Sequence, residues 1–453
     1  MLMAERATTL VDPRTGRPRG KSPISDEVDV AAVVATARET AVAWARLTPR
    51  ERSGRLLELA VVIEQHTESY TRAEQAGTGK PEAEARVEVG NCVDVLRFYA
   101  GAARAETTPG SGRRMAGLES WVRWEPLGVV AAIVPWNYPL LMAMWRLGPA
   151  LAAGNTVILK PAETTPESVQ LLAEHATPIL GPDVISVLPG DRATGQHLVS
   201  SGINAVAFTG SLQGGLDVVR RAGVRRVSLE LGGNGPALVL PDAPADTAAE
   251  LVAACLYNAG QSCAAPARVI TLRKNYEQTV HALAAAMEKQ LAGRDFGPLN
   301  NPDQLDRFDS ILARSGAGFR YESGLRLAED EQDGFWRAGQ ILADLSPDDP
   351  AVVEELFGPV LTVQSAPDLA GAVRLANSVP QALGASVWGS DVGTVLTVAG
   401  EVNAGEVWVN CHLKQTAELP HGGRGQSGTG TDLSVLALAD YQRPKTVTVR
   451  AAY

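Results

Sequence analysis

VVAAIVPWNYPLLMAMWRLGPALAAGNTVILK, residues 129–160, reads as strand, helix, strand. Val129–Val134 is a short uncharged run, Leu140–Ala153 repeats apolar residues at helical intervals, and Thr156–Lys160 is a second short run. Short apolar runs alternating with helices describe a parallel sheet covered on both faces, since each strand must shed water on both sides. The rhythm continues through a helix at Pro166–Ala176, strands at Val184–Leu188 and Ala205–Phe208, and a helix ending at Ala222. The reading is a doubly wound α/β lobe, which binds ligands at the carboxyl ends of its strands. A second alternation starts at Ala237, with a helix at Ala245–Tyr257, a strand at Arg268–Leu272 and a helix at Tyr276–Leu291. After a loop-rich stretch, 294–333, it resumes and runs to Val409. Upstream, Val28–Trp44 and Arg52–Gln75 carry helical spacing. Glu119–Glu125 and Thr446–Val449 fit neither lobe. They alternate like exposed strands, whose open edges find partners, and pairing between subunits is the natural arrangement.

The 453 residues are too many for one ordinary domain and suggest two large lobes with small appendages. A net charge of −10 argues against nucleic acid or an anionic membrane as the main partner. Four cysteines, Cys92, Cys255, Cys263 and Cys411, lie far apart without metal-ligand spacing, which suits a reducing compartment. Six scattered histidines without an HExxH pair suggest no metal site. No apolar stretch is long enough to span a bilayer, and the first residues do not read as a signal peptide, so a cytoplasmic location is expected.

Several strand ends carry residues able to do chemistry. Asn258-Ala-Gly-Gln-Ser-Cys263 sets a cysteine in a small-residue turn between a helix and a strand, open to a ligand. A lone cysteine is equally readable as a buried, inert thiol, and Cys92, Cys255 and Cys411 are read that way. Val227-Ser-Leu-Glu-Leu-Gly-Gly233 ends an apolar strand on Glu230; there the carboxylate is either a desolvated general base or a plain ion-pair partner. In Val134-Pro-Trp-Asn-Tyr-Pro139 two prolines fix the backbone around Asn137. Such an amide serves as an oxyanion donor or as an ordinary turn residue. Phe208-Thr-Gly-Ser-Leu-Gln-Gly-Gly215 follows a strand and opens a helix, with Gly210 and Gly215 spaced for a pyrophosphate, although it is not the GxGxxG pattern. Lys160-Pro-Ala-Glu163 closes another strand with a carboxylate suited to ribose hydroxyls, or forms a simple charged loop.

These turns occur together and in order, and with them the chain resembles the aldehyde dehydrogenase superfamily from about residue 8 onward. The matching stretches are PWN at 135–137, KPAE at 160–163, FTGS at 208–211, LELGG at 229–233, GQSC at 260–263 and EELFGPV at 354–360. The resemblance implies a Rossmann-like doubly wound NAD-binding domain at 1–116 and 127–233, and a second α/β catalytic domain at 234–428. It further implies small β oligomerisation strands at 117–126 and 436–453. It casts Cys263 as the nucleophile, Glu230 as the general base and Asn137 as the oxyanion donor beside the Cys263 N–H. NAD, in preference to NADP, would meet Pro135, Trp136, Lys160, Glu163, Gly210, Ser211, Gly215, Leu231, Glu355 and Phe357. Asn91, Tyr138, Leu141, Trp145, Ser262 and His421 would surround the aldehyde. The expected assembly is a homodimer or homotetramer.

The stretches 135–155, YNAGQSC at 257–263, ELPHGG at 418–423 and SGTGTDLS at 427–434 are most similar to the aminoaldehyde and betaine-aldehyde branch. Tyr138 and Trp145 are then expected to face a cationic amine, with Glu88, Asp94 or Glu418 near the tunnel mouth. The chain departs from the family pattern in a shortened loop at Gln290–Pro298, in Arg337–Gln340, at Leu212, and at Asp432, where a glutamate is common. Two rival readings are a CoA-acylating enzyme, against which Glu230 speaks, and a non-catalytic protein of the same fold, against which the intact Cys263, Glu230 and Asn137 speak.

Overall fold

The computed structural model describes residues 6–105 and 110–450. The outer parts of two expected segments, 1–5 and 451–453, and the stretch 106–109 lie outside the described residues. Residues 129–160 form the strand Val129–Ile133, the helix Pro139–Ala153 and the strand Thr156–Lys160. Proline at the first helical turn costs no hydrogen bond, and Gly154 ends the helix in the left-handed region at φ 98°.

The first sheet has five parallel strands in the order Ile185–Val187, Thr156–Lys160, Val129–Ile133, Ala205–Thr209, Arg226–Glu230. Alternate side chains feed two cores, as the two-residue period of a strand requires. Val130, Ala132, Val157 and Leu159 pack with the helices Pro49–Gln65, Glu82–Ala102 and Pro139–Ala153. Val129, Ala131, Ile158 and Val206 pack on the other face with Glu27–Arg46, Arg192–Ser200 and Leu212–Ala222.

The second sheet has seven strands in the order Phe319–Glu322, Gln340–Ala343, Val360–Ala366, Pro266–Leu272, Gly235–Val239, Gly384–Trp388, Glu406–Val409. Only the first of these runs antiparallel to its neighbour. Beyond it the chain returns to the first lobe, where Ala417, Leu433, Ala437 and Tyr441 join the core.

Three expectations need correction. The single helix at Arg52–Gln75 is two, Pro49–Gln65 and Thr67–Thr78, bent at His66. Neither Gly nor Pro marks the bend; the His66 ring stacks on His175 at 4.3 Å, a contact made across the fold. The loop-rich stretch 294–333 contains the helix Pro302–Arg314 and the strand Phe319–Glu322. Its start is a capped one, with Asn301 Oδ1 accepting from the Gln304 N–H at 2.9 Å and proline in the first turn. Finally, the two stray strands pair with each other: Gln442–Arg450 runs antiparallel to Leu118–Pro126 from Gln442 opposite Pro126 to Arg450 opposite Leu118. Ser120 and Thr448 hydroxyls meet at 3.0 Å, and Lys445 reaches Glu125 at 2.9 Å. Gly112–Met115 flanks the pair, so a three-stranded sheet keeps two open edges.

Candidate active site

Cys263 lies past a turn that the backbone would not adopt unaided. After the helix Thr247–Leu256, Asn258 and Ala259 both take left-handed conformations, at φ 50° and 54°. Such residues cost of order 1–3 kcal/mol each and persist only where the surroundings over-determine them. Here the surroundings do. The Asn258 N–H donates to Glu84 Oε2 at 2.8 Å, and its side-chain amide donates to the Asn137 carbonyl at 2.9 Å. Gln261 Nε2 donates to the carbonyls of Asn258 and Pro298, and Gln261 Oε1 accepts from the Asn300 N–H at 2.9 Å. At Gly260 a Cβ would stand 2.1 Å from the Gly358 oxygen, so only glycine fits. On the far side of the cysteine, His412 Nε2 donates to the Ala264 carbonyl at 2.9 Å while Nδ1 accepts from Ser386 at 2.8 Å. Burial holds that imidazole down to about 4, so it is a neutral strut.

Glu230 ends the strand Arg226–Glu230 and is 3% exposed. Neither of its oxygens accepts a hydrogen bond of normal geometry. Burial, then the nearby Asp432, push its carboxyl well above the ordinary range, with Arg146 and the Gly423 N–H opposing. Burial likewise pushes the Cys263 thiol up, helped by Glu230, Glu355 and Glu406. The residue is half-buried and lines two cavities. Asn137 is buried, and its side-chain amide donates one N–H to the Gln261 carbonyl at 2.9 Å. An amide nitrogen carries two hydrogens, so one donor is left over.

Two cavities meet at the cysteine. One, of about 390 Å³, is lined by Asn91, Tyr138, Leu141, Trp145, Ser262 and His421, all six residues expected around a substrate. The other, of about 530 Å³, is lined by Pro135, Trp136, Asn137, Gly210, Ser211, Leu231, Glu355 and Phe357. Cys263 and Met142 line both, and of the two only the cysteine can react. Lys160, Glu163 and Gly215 are outside the lining. Lys160 Nζ is 3.6 Å from Glu163 at the end of the neighbouring strand. Gly215 makes room for a side chain instead, since a Cβ there would meet Leu231 at 2.7 Å.

The larger cavity has the features a dinucleotide needs. It runs along the carboxyl ends of the parallel strands and reaches the N-terminus of the helix Leu212–Ala222, whose N-cap is Ser211. At Gly232 a Cβ would meet Glu355 at 2.0 Å, and the Gly233 N–H donates to Glu355 at 2.8 Å. Burial lifts the Glu355 carboxyl to about 7. Phe357, at φ 52°, lies edge-on to Trp136 at 5.5 Å, and Gln304 holds its carbonyl at 2.8 Å.

Comparison with known proteins agrees with this geometry. The model of the aldehyde dehydrogenase family matches residues 3–447. Retinaldehyde dehydrogenase 3 of Rattus norvegicus is 35% identical over 425 residues, covering 90% of this chain and 82% of that protein. The chain belongs to the aldehyde dehydrogenase family. Among solved structures, indole-3-acetaldehyde dehydrogenase of P. syringae, complexed with NAD+ and IAA, superposes with a TM-score of 0.94 at 30% identity, covering 98% of this chain and 93% of that one. Betaine aldehyde dehydrogenase of Staphylococcus aureus in complex with NAD+ gives 0.94 at 26% identity, covering 98% and 92%.

Around the site of this aldehyde dehydrogenase the structure also places Lys80, Glu74 and Arg146, which the sequence did not single out. Lys80, 1% exposed, pairs with the equally buried Glu88, donates to the Asn137 carbonyl at 3.1 Å and lies 4.4 Å from the centre of the Tyr138 ring. Glu74 and Glu88 accept the N–H groups of Leu140 and Leu141, just after Asn137. Arg146 pairs with Asp432 at 3.0 Å and donates to Thr209 and Ser228, tying together the strand ends behind Glu230. These contacts correct the expected cation-binding mouth. Glu88 is neutralised by Lys80, one face of Tyr138 is taken, and Asp94 and Glu418 are exposed outside the cavity lining. Two acids line the tunnel, Glu88, held by Lys80, and Glu250, with Lys414 also in the wall. The shortened loop 290–298 stays clear of the tunnel; Gly297 packs on Gly79, and Pro298 holds Gln261. Among the described residues no cluster of His, Cys, Asp and Glu could hold a metal, and no helix is long and apolar enough to cross a membrane.

Proposed function

We propose that the protein oxidises an aldehyde to its carboxylic acid with NAD, through a thioester on Cys263. The observation that carries this is the placement of Cys263 at the junction of a substrate-sized tunnel and a dinucleotide-sized cleft. Trp136, Ser211, Glu355 and Phe357 would hold NAD in the cleft, where it would supply the hydride acceptor. The protein's own residues do the rest. Cys263 sulfur adds to the aldehyde carbon as its proton, which burial makes it keep at rest, passes to water in the tunnel. The spare Asn137 N–H and the Cys263 N–H receive the oxyanion, where one such donor is worth about 3 kcal/mol. Glu230 acts in its ionised form: buried and with oxygens that accept no hydrogen bond of normal geometry, it draws a proton from water, and the resulting hydroxide opens the thioester.

In this reading residues 1–116 and 127–233 bind the cofactor, 234–428 supply the nucleophile, and 117–126 with 436–453 serve assembly as a homodimer or homotetramer. The open edges of the three-stranded sheet and the exposed Met115 and Val449 beside them support assembly. Four unpaired cysteines support a cytoplasmic setting.

For the substrate we propose an aminoaldehyde of the 4-aminobutyraldehyde kind. Glu250 in the tunnel wall and the Trp145 and Tyr257 rings are the groups that would receive its ammonium. A neutral aldehyde is the second reading, favoured by Lys414 and by the apolar wall of Val87, Leu141 and Leu413. The test compares 4-aminobutyraldehyde, betaine aldehyde and unsubstituted aldehydes of matched length, in the parent and in Glu250→Gln. A cationic substrate shows higher kcat/KM in the parent and loses that advantage in the variant and in Trp145→Ala. Equal efficiency for charged and neutral aldehydes establishes the second reading.

A further inference from the structure

Glu230 raises a question of proton traffic. Each turnover leaves it carrying a proton from water, yet it is 3% exposed and no hydrogen bond leads away from its oxygens. The nearest imidazole is His421, whose Nε2 is 3.9 Å from Glu230 Oε2. That gap is about 1 Å longer than a hydrogen bond, within reach of a small turn of the glutamate side chain. His421 is held on every side. Its backbone pairs with Asp432 through two hydrogen bonds, 2.7 and 2.8 Å, and its ring lies edge-on to Trp145 at 5.0 Å. Its Nδ1 is 2.8 Å from Glu406 Oε2 and 2.9 Å from Gln415 Nε2, and that amide directs a hydrogen to the same Glu406 oxygen at 3.1 Å. A carboxylate only accepts, so the Nδ1 hydrogen points at Glu406 and Nε2 is left bare toward Glu230 and the tunnel. His421 is also part of the tunnel wall, so Nε2 borders space that water can enter.

We propose that His421, oriented by Glu406, is the proton outlet of Glu230 during deacylation; the inference rests on the thioester reading above. Glu230 takes a proton from water as oxygen bonds to the acyl carbon and the carbon–sulfur bond breaks, the sulfur leaving as thiolate. His421 Nε2 then takes that proton from Glu230, with Glu406 as the counter-charge of the imidazolium. When the acid departs, Nε2 releases the proton to water in the tunnel, and Glu230 and His421 return to their starting forms. Of the remaining charged groups here, Asp432 and Arg146 pair with each other behind Glu230, and Asp432 also faces the charge that His421 would carry. Lys414 belongs to the tunnel wall.

The experiment uses His421→Phe, His421→Ala and Glu406→Gln in the full-length protein with NAD and a simple aldehyde. His421→Phe keeps an aromatic ring in the wall, so it should keep the first burst of NADH while steady-state kcat falls about tenfold to a hundredfold. Acyl-Cys263 should accumulate in quenched samples, read by intact mass. Glu406→Gln should show the same pattern more weakly. Added imidazole should restore turnover to His421→Ala, which no loss of packing alone would allow. Unchanged steady-state kcat in His421→Phe, absence of the accumulated acyl-enzyme, or failure of imidazole to rescue His421→Ala overturns the proposal while leaving the burst, and so the thioester reading, intact. Loss of the burst in the variants overturns it too, since His421 then serves an earlier step. No burst in the parent instead rejects the thioester reading itself.

Discussion

Glu230→Gln changes almost nothing in shape, and for that reason its two consequences should separate cleanly. The side chain accepts no hydrogen bond of normal geometry, and the Gly423 N–H that approaches it can meet the glutamine oxygen as well. Removing a general base costs about 10²- to 10⁴-fold, or roughly 3–5 kcal/mol on the barrier it serves. Only thioester hydrolysis needs that base, so stopped-flow absorbance should show a normal burst of NADH followed by a steady state slowed by that factor. The same change should stabilise the fold. The native carboxyl keeps a proton that the unfolded chain releases above about pH 4.3. Between the unfolded and folded pKa the native state therefore binds more protons, and stability falls as pH rises. Each unit of that displacement amounts to about 1.4 kcal/mol. Glutamine removes the slope. Melting midpoints of variant and parent should agree near pH 4–5, with the variant ahead by a margin that widens toward neutral and alkaline pH. A vanished burst would show that Glu230 acts before hydride transfer. A margin independent of pH would show that burial does not keep this acid protonated.

Cys263→Ala should abolish NADH formation while cofactor still binds, as followed by calorimetric titration; substantial residual turnover removes the sulfur from the mechanism. NAD should exceed NADP in kcat/KM, because Glu163 beside Lys160 would meet a 2′-phosphate with like charge; an equal or inverted ratio rejects that role. Deleting 444–453 strips most of the outer strand from Leu118–Pro126 and should give smaller particles by light scattering; an unchanged assembly assigns the contact elsewhere.

The first sheet was legible because its strands are buried on both faces. Val129–Ile133 and Thr156–Lys160 have no wet side, so their apolar runs could be read directly. The helix Pro302–Arg314 was hidden for the opposite reason. Its buried residues Gln304, Phe308, Ile311 and Leu312 form a narrow stripe, and its opening Asn-Pro reads equally as a turn. The pairing of Gln442–Arg450 with Leu118–Pro126 joins segments more than three hundred residues apart, as the Lys445–Glu125 contact shows, and alternation alone names no partner. The residues on strand ends and tight turns, such as Glu230, Asn137 and Cys263, stood out because small residues or prolines bracket them.

Their supports did not stand out, and the reason is physical. Glu84 and Glu88 are one helical turn apart on Glu82–Ala102, a spacing that ordinarily marks a solvated face. In the fold this face turns inward against loops whose N–H groups have no secondary structure to satisfy them. Glu74 accepts from Leu140, Glu88 from Leu141 and Glu84 from Asn258, while Lys80 caps the Asn137 carbonyl. Burying these acids is costly: Glu74 is lifted to about 8 and Glu84 to about 7, chiefly by loss of water. The cost is offset because one buried cation serves the cluster and each acceptor fixes a loop next to Asn137 or Cys263. A helix could not hold Asn258 and Ala259 in the left-handed region, and neither could a strand. Side chains from a distant helix can, so the strained turn before the nucleophile depends on acids whose pattern in the sequence looks like an ordinary wet surface.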